Sequence, residues 1–261
     1  MRGLIRSVLI ALMGATPGVG AQSAVAPDGI LRVAYLANNP AQATKDPATG
    51  ETRGVAVDLA RELGRRLGTT VNMIGAPNPQ AVIDAVANGQ ADIGFVAYNP
   101  ERAGPVEFSQ PYMLVQQTFL VRQDSPIRSV ADIDRPKQKI GAPKGDSIAL
   151  YLARTLKQAE LVEMTETRPG EANEALVDGR LHALGSNRQR LTAALKNASR
   201  LRVLPDDLYG VEQTLIVQRG RSEALNVLNQ FIDDVRRSGF LGGTIERSGV
   251  VGIAVAPAAV K

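Results

Sequence analysis

The chain has 261 residues, of which 44% are hydrophobic and 21% charged, with a formal net charge of +4. This is enough apolar material for one large domain or two small ones. With 4% aromatic residues and no Trp, it lacks the basic and stacking side chains of a nucleic-acid platform, and with no Cys it has neither a disulfide framework nor a thiol nucleophile.

The N-terminal 21 residues read as a secretory signal. Arg2 and Arg6 form a positive start, Val8 to Met13 an apolar core, and Val19-Gly20-Ala21 a small-residue cleavage site, with cleavage expected after Ala21. The core is interrupted by Gly14, Pro17 and Gly18 and falls well short of the roughly 20 residues of a spanning helix. The two arginines account for half of the net charge of +4. Without Cys no lipid attachment is expected, so the mature chain should be free.

Beyond the signal, strands and helices alternate. Ile30 to Tyr35 reads as a strand, Val57 to Leu67 as a helix with Leu59, Leu63 and Leu67 four apart and Gly68 as its stop, and Val71 to Ile74 as a strand. A helix over Gln80 to Asn88, ended by Gly89, and a strand over Ile93 to Ala97 close the first series. The second series reads strand Lys139 to Ala142, helix Ser147 to Lys157, strand Leu161 to Met164, helix Glu171 to Asp178, strand His182 to Leu184, helix Gln189 to Asn197 and strand Leu201 to Leu204. Gln117 to Val121 and Gln213 to Val217, both rich in β-formers, flank it. Helices over Glu223 to Arg237 and Leu241 to Arg247 follow, and the apolar tail Val250 to Val260, broken by Pro257, fits a strand or a packed extension. The pattern predicts an α/β fold with parallel sheets built from βαβ units. A faint echo between Val86 to Ile93 and Leu176 to Ala183 (helix end, Gly stop, new strand) is compatible with two similar lobes.

The most specific stretch is Ala91-Asp92-Ile93, then Asn99-Pro100-Glu101-Arg102-Ala103, then Phe108-Ser109-Gln110-Pro111-Tyr112. An Arg just past a strand end suits a small carboxylate, because its planar fork makes two parallel charge-assisted hydrogen bonds. The stretch resembles the signature of the family-3, amino-acid-type, extracellular solute-binding proteins of ABC importers. That resemblance covers essentially the whole mature chain. It implies a two-lobed periplasmic-binding-protein fold of type II, with two βα sheet lobes joined by a two-strand hinge. Lobe 1 would be discontinuous (28–117 plus 218–261), lobe 2 continuous (123–212), with hinge crossings near 117–122 and 213–217. Ligand would bind between the lobes at the strand carboxyl ends.

By the same resemblance Arg102 would hold the ligand carboxylate, and Asn99 stands where a Thr usually adds a polar contact. Ala97 at its strand end and Asn78 in the loop Pro77-Asn78-Pro79 are expected in the lining. Gly141 to Ser147 resembles the strand-to-helix loop of the second lobe. Ser147 there would lie at a helix N-terminus, where free N–H groups and the dipole favour an anion; Asp146 or Ser147 could equally cap that helix. The chain departs from the pattern in two places. Amino-acid binders carry an Asp for the α-ammonium where alignment puts Asn187, and an ammonium without a charged partner in a closed cleft is costly. Asp146 could substitute, or the ligand could be a carboxylate without a free amine, with Lys144 and Arg188 near a second acidic group. The aromatic wall is also reduced: the loops read Asn38-Asn39-Pro40 and Pro77-Asn78-Pro79, leaving Tyr98 as the aromatic candidate or as plain packing.

Catalysis is poorly supplied. The one His, His182, sits at a strand start, where a structural role is expected, and zinc sites draw on several Cys and His residues, so neither a metal nor a cofactor is expected. No Walker loop, dinucleotide fingerprint or nucleophile elbow is present. The sequence therefore reads as a non-enzymatic, monomeric periplasmic protein whose partners are a small carboxylate ligand and an inner-membrane ABC permease. Two alternatives stay open: a cyclohexadienyl dehydratase-like enzyme on this fold, needing an acid such as Glu171, Glu174 or Asp146 in the cleft, and a soluble ligand-sensing partner of a signalling receptor.

Overall fold

The computed structural model describes residues 19–37, 39–46, 48–165, 170–195 and 198–258. The start and core of the expected signal, Asn38, the end of the predicted helix at Asn197 and the tail at Val260 lie outside the described residues. Helix α1 (Val19–Val25) precedes strand β1 (Ile30–Leu36), the short hairpin β2 (Thr44–Lys45) and β3 (Thr52–Arg53), and helix α2 (Val55–Leu67). Then come β4 (Thr70–Ala76), α3 (Pro79–Ala87), β5 (Ile93–Ala97), a 3-10 turn at Pro100–Arg102, and β6 (Val106–Phe108). The middle of the chain holds β7 (Met113–Arg122), β8 (Lys139–Pro143), α4 (Ser147–Thr155), β9 (Glu160–Met164), α5 (Glu171–Val177), β10 (Ala183–Asn187), α6 (Arg188–Ala194) and β11 (Leu201–Val203). The chain returns through β12 (Tyr209–Gln218) to α7 (Ser222–Arg237), α8 (Phe240–Ser248) and β13 (Ile253–Val255). The expected cleavage point after Ala21 falls inside α1, whose Val25 is fully buried and whose Ala24 carbonyl accepts from Arg221 Nη2 at 2.6 Å.

The sheet runs β4-β1-β5-β12-β7-β10-β8-β9, with β6, β11 and β13 pairing onto its two central strands. β1 is parallel to β4 and β5, and β8 is parallel to β9 and β10, as the βαβ pattern predicts. Between these groups β7 and β12 run antiparallel to each other and to their outer neighbours. Both are ten residues long, twice the span predicted for either. Each changes partner midway. β12 pairs with β7 over Tyr209 to Gln213 and with β5 over Gln213 to Ile216, while β7 leaves β12 at Gln117 and pairs with β10 from Gln117 to Leu120.

The helices fold over this sheet for ordinary reasons. Leu59, Leu63 and Leu67 bury one face of α2, and Arg65 and Arg66 in its last turn complement the dipole. Gly54 enters that helix at φ 140°, and a Cβ there would lie 2.5 Å from the Gln42 carbonyl oxygen, so only glycine fits. Across from it, α7 buries Leu228, Phe231, Ile232 and Val235, and the Arg66 guanidinium sits 5.3 Å from the Phe231 ring centroid. The buried apolar side chains fall into four clusters. Two draw on residues up to Val115 and from Leu215 onward, and two on Phe119 to Leu204. None mixes the two groups, so the molecule has separate cores on either side of the β7–β12 pair.

One buried ion pair ties the first group together. Asp92, 2% exposed, accepts from the Arg32 backbone N–H at 2.8 Å and from its guanidinium at 3.0 and 2.8 Å, fastening the entry of β5 to β1. Replacing it leaves a partly buried guanidinium and a backbone N–H without their acceptor. Asp92→Ala should therefore lower stability by about 2 kcal/mol, seen as a lower urea midpoint with unchanged slope; a loss below about 0.5 kcal/mol would mean the pair is dispensable.

Candidate functional site

The strand carboxyl ends converge on a cleft of about 210 Å³ between the two groups of strands. Sheet register sets its floor. Gln117 on β7 lies opposite Asn187 at the end of β10, and Gln213 on β12 lies opposite Ala97 at the end of β5. Both glutamines sit where their strands change partner, both are nearly fully buried, and both line the cleft. Gln213 is held in turn by the fully buried Gln42, whose amide donates to Gln213 Oε1 at 3.3 Å and whose own Oε1 accepts from Leu36 N–H at 3.1 Å. The sequence reading missed all three glutamines; the β-rich context of Gln117 and Gln213 was the available signal, read only as hinge.

One wall comes from the loops after β4 and β5. Asn78 caps α3, its Oδ1 accepting from Ala81 N–H at 2.9 Å, and it lines the cleft as expected. Asn99 is 7% exposed and does not face the cleft: its Oδ1 accepts from Glu101 N–H at 3.0 Å and caps the 3-10 turn that ends in Arg102. Asn99 thus fixes the turn that presents the arginine. Arg102 reaches into the cleft, and among the described residues its guanidinium has no hydrogen-bond or ion-pair partner. Burial presses its pKa below the ordinary arginine value, an effect the charges of Asp146 and Glu101 only partly offset.

The opposite wall carries Asp146, Ser147, Asn187 and Arg190. Asp146 occupies the cap position of α4, yet its side chain makes no capping bond; it turns to Arg190, Nη1 to Oδ2 3.1 Å, with both groups about two-fifths exposed. Ser147 is the first residue of α4 and lines the cleft. Asn187 caps α6, its Oδ1 accepting from Arg190 N–H at 3.2 Å. Arg190 is the cleft's second cation, where the sequence reading had put Lys144 and Arg188. Lys144 is exposed and off the wall, with its backbone N–H bonded to Met164 O. Arg188 is consumed by Asp207 at 2.6 Å and by the carbonyls of Leu204, Pro205 and Asp206.

Tyr98 stands outside the main cleft, edge-on to Phe108 at 5.2 Å, beside a neighbouring pocket of about 250 Å³. The lining of that pocket includes the stacked rings of Tyr151 and Tyr209, 4.3 Å apart, and Arg154, which pairs with Glu101 at 3.8 Å. Glu171 and Glu174 do not line the cleft. His182 accepts from Lys139 N–H through Nδ1 at 2.9 Å, joining two strand starts as a structural histidine would. Among the described residues no group of three or more His, Asp and Glu is arranged to hold a metal, and no helix is long and apolar enough to cross a membrane.

Asp146 carries the site's pH dependence. Burial raises its pKa above the usual carboxylate value, opposed by Arg190 and then Arg102. A carboxyl raised in the native state holds its proton more tightly than the unfolded chain does, so stability falls as pH rises from the ordinary carboxylate range through the native midpoint. Asp146→Asn should remove that part of the decline in a pH series of unfolding midpoints. Arg190→Ala should move the Asp146 midpoint further up in a carboxyl-carbon NMR titration; a downward move would show that Arg190 does not offset the burial.

The model of the bacterial extracellular solute-binding proteins, family 3, matches residues 31–247. A glutamine-binding protein of Geobacillus stearothermophilus is 29% identical over 172 residues, 64% of this chain and 64% of that protein, so the chain spans a little under two thirds of its length. The ABC transporter glutamine-binding protein GlnH of Bacillus subtilis (strain 168) is 24% identical over 203 residues, 75% of this chain and 72% of that one. Among solved structures, the ancestral amino-acid-binding protein AncCDT-1, described as a precursor of cyclohexadienyl dehydratase, superposes with a TM-score of 0.66 at 26% identity, covering 84% of this chain and 94% of its own.

Proposed function

From the premise that this chain belongs to the family 3 bacterial extracellular solute-binding proteins, with the two-lobed type II fold of its structural neighbours, we propose that it is the periplasmic binding component of an ABC importer, capturing a small carboxylate-bearing solute between its lobes. The observation that carries this reading is Arg102: a guanidinium partly stripped of water, held at a strand end by an Asn99-capped turn, and left without a protein partner among the described residues. Desolvating a cation without a counter-ion costs free energy that a ligand anion recovers. Solute carboxylate engages Arg102 from lobe 1, Ser147 and Asn187 close from lobe 2, and the closed form is presented to a membrane permease. The solute favours closure only by its preference for the closed state. In this reading lobe 1 comprises 28–117 and 218–261 and lobe 2 comprises 123–212, with the change of strand partner at Gln117 and Gln213 marking the bend.

The match to GlnH, named for an ABC transporter, supports the permease partnership, and the match to an amino-acid-binding protein supports a carboxylate ligand. Asp146 is the one observation that favours a dehydratase, since it is an acid of raised pKa facing Arg102. Its carboxyl is engaged by Arg190 at 3.1 Å, a pairing that suits a fixed wall of the cleft better than a proton donor free to reach a leaving hydroxyl. Incubation with a cyclohexadienyl carboxylate should therefore yield no dehydrated product.

Arg102→Ala should weaken binding of the solute by about 2–5 kcal/mol, the cost of truncating one side of a buried charged pair. Calorimetric titration of the wild-type and variant chains checks this; a loss of less than about tenfold in dissociation constant would remove Arg102 from the site.

A further inference from the structure

The cleft's hydrogen-bonding inventory is lopsided. Asn39, Asn78 and Asn187 all line it, and each already spends its amide oxygen on a backbone N–H: Ala41 at 3.2 Å, Ala81 at 2.9 Å and Arg190 at 3.2 Å. Those bonds fix each carboxamide's orientation, since only the oxygen accepts from an N–H. Three amide NH₂ groups are thereby left as donors with no partner among the described residues. Arg102 adds its guanidinium N–H groups, likewise unpartnered.

Acceptors are scarce by comparison. Gln213 has both ends engaged, its oxygen by Gln42 and its nitrogen by the Val211 carbonyl at 3.4 Å. Gln117 spends its nitrogen on the Val115 carbonyl at 3.2 Å and keeps its oxygen. Ser147 offers a hydroxyl, and Asp146, the one carboxylate lining the cleft, is tied to Arg190. The charged lining is thus two guanidinium groups against one carboxylate.

We infer that the solute is a carboxylate without a cationic amine, whose other polar atoms are mainly oxygen acceptors: a hydroxy or oxo acid rather than an α-amino acid. This rests on the binding role proposed above and deepens it. A monoanion neutralises the cleft's surplus positive charge and meets its surplus donors. A zwitterion leaves the surplus charge in place, and its ammonium competes with Arg190 for Asp146, where a cation lacking a charged partner is costly once water is excluded.

The test is calorimetric titration of the full chain, unfolded and refolded to free it of bound solute, with matched acids: alanine, lactate and pyruvate; leucine with its 2-hydroxy and 2-oxo counterparts; glutamine with its 2-oxo counterpart. In every set that binds, the oxygen-bearing members should bind at least tenfold more tightly than the amino acid. Asn187→Asp keeps a capping oxygen for α6 and replaces a donor by a charged acceptor, so it should narrow that gap by several-fold. If the amino acids bind as tightly or more tightly, and lose that affinity in Arg102→Ala, this inference falls while the carboxylate-binding role stands. If no acid in any set binds, both fall.

Discussion

Everything in this molecule depends on the antiparallel pairing of β7 with β12. The two strands share one stretch of ladder, Met113 to Gln117 against Tyr209 to Gln213, and then part to different neighbours. Because each strand serves two sets of partners, two separately cored halves are joined by two covalent crossings and one short ladder. The parallel strands on either side therefore end facing each other, and the loops after them supply both walls of the cleft. A parallel sheet gathers its functional loops at the carboxyl ends of its strands, and here two such edges meet across the place where the central strands change partners.

That geometry concentrates polar groups where the backbone ladder is interrupted. Gln117 and Gln213 lie at the change of partner, and the fully buried Gln42 buttresses the second of them. Buried amides of this kind carry a penalty unless satisfied; Gln42 and Gln213 are satisfied by each other and by backbone groups, and Gln117 by the Val115 carbonyl at its nitrogen alone. Among the charged groups of the cleft, Arg102 is the one without a partner among the described residues. Its neighbours shape the turn that holds it but do not bond its guanidinium, whereas the cleft's other arginine, Arg190, is matched to Asp146. The difference between these two arginines is that between a structural ion pair and the group that the proposed function assigns to the ligand.

Much of this was legible in the chain. Helix periodicity with glycine stops located α2, and α3, α7 and α8 came within a residue or two of their predicted ends. The family resemblance placed Arg102 and the Ala97, Asn78, Asp146, Ser147 and Asn187 positions that line the cleft. The strands β7 and β12 were read at half their length, because Gln116, Gly210 and Glu212 break an apolar run while remaining compatible with a half-buried ladder. The short strand β6 does not register because three residues carry too little periodicity, while β13 falls within the apolar tail that the sequence reads as a strand or a packed extension. Lys144 and Arg188 were drawn to the cleft by proximity in sequence, but side-chain direction at the start of α6 sends Arg188 to Asp207 and brings Arg190 inward. Asn99 is assigned to the ligand because it stands where the family usually carries a Thr, and Tyr98 because it is the aromatic candidate left once the other aromatic positions are empty. A strand end alternates its faces, and the tyrosine points to the adjoining pocket instead.

The most direct test of the account is a crystal structure of the chain with the tightest-binding small acid. The account predicts carboxylate oxygens paired with the Arg102 guanidinium, with the solute enclosed between Asn78 on one wall and Ser147 and Asn187 on the other. A solute lodged in the pocket over Tyr151 and Tyr209, or bound to one half without contact to Arg102, would contradict it.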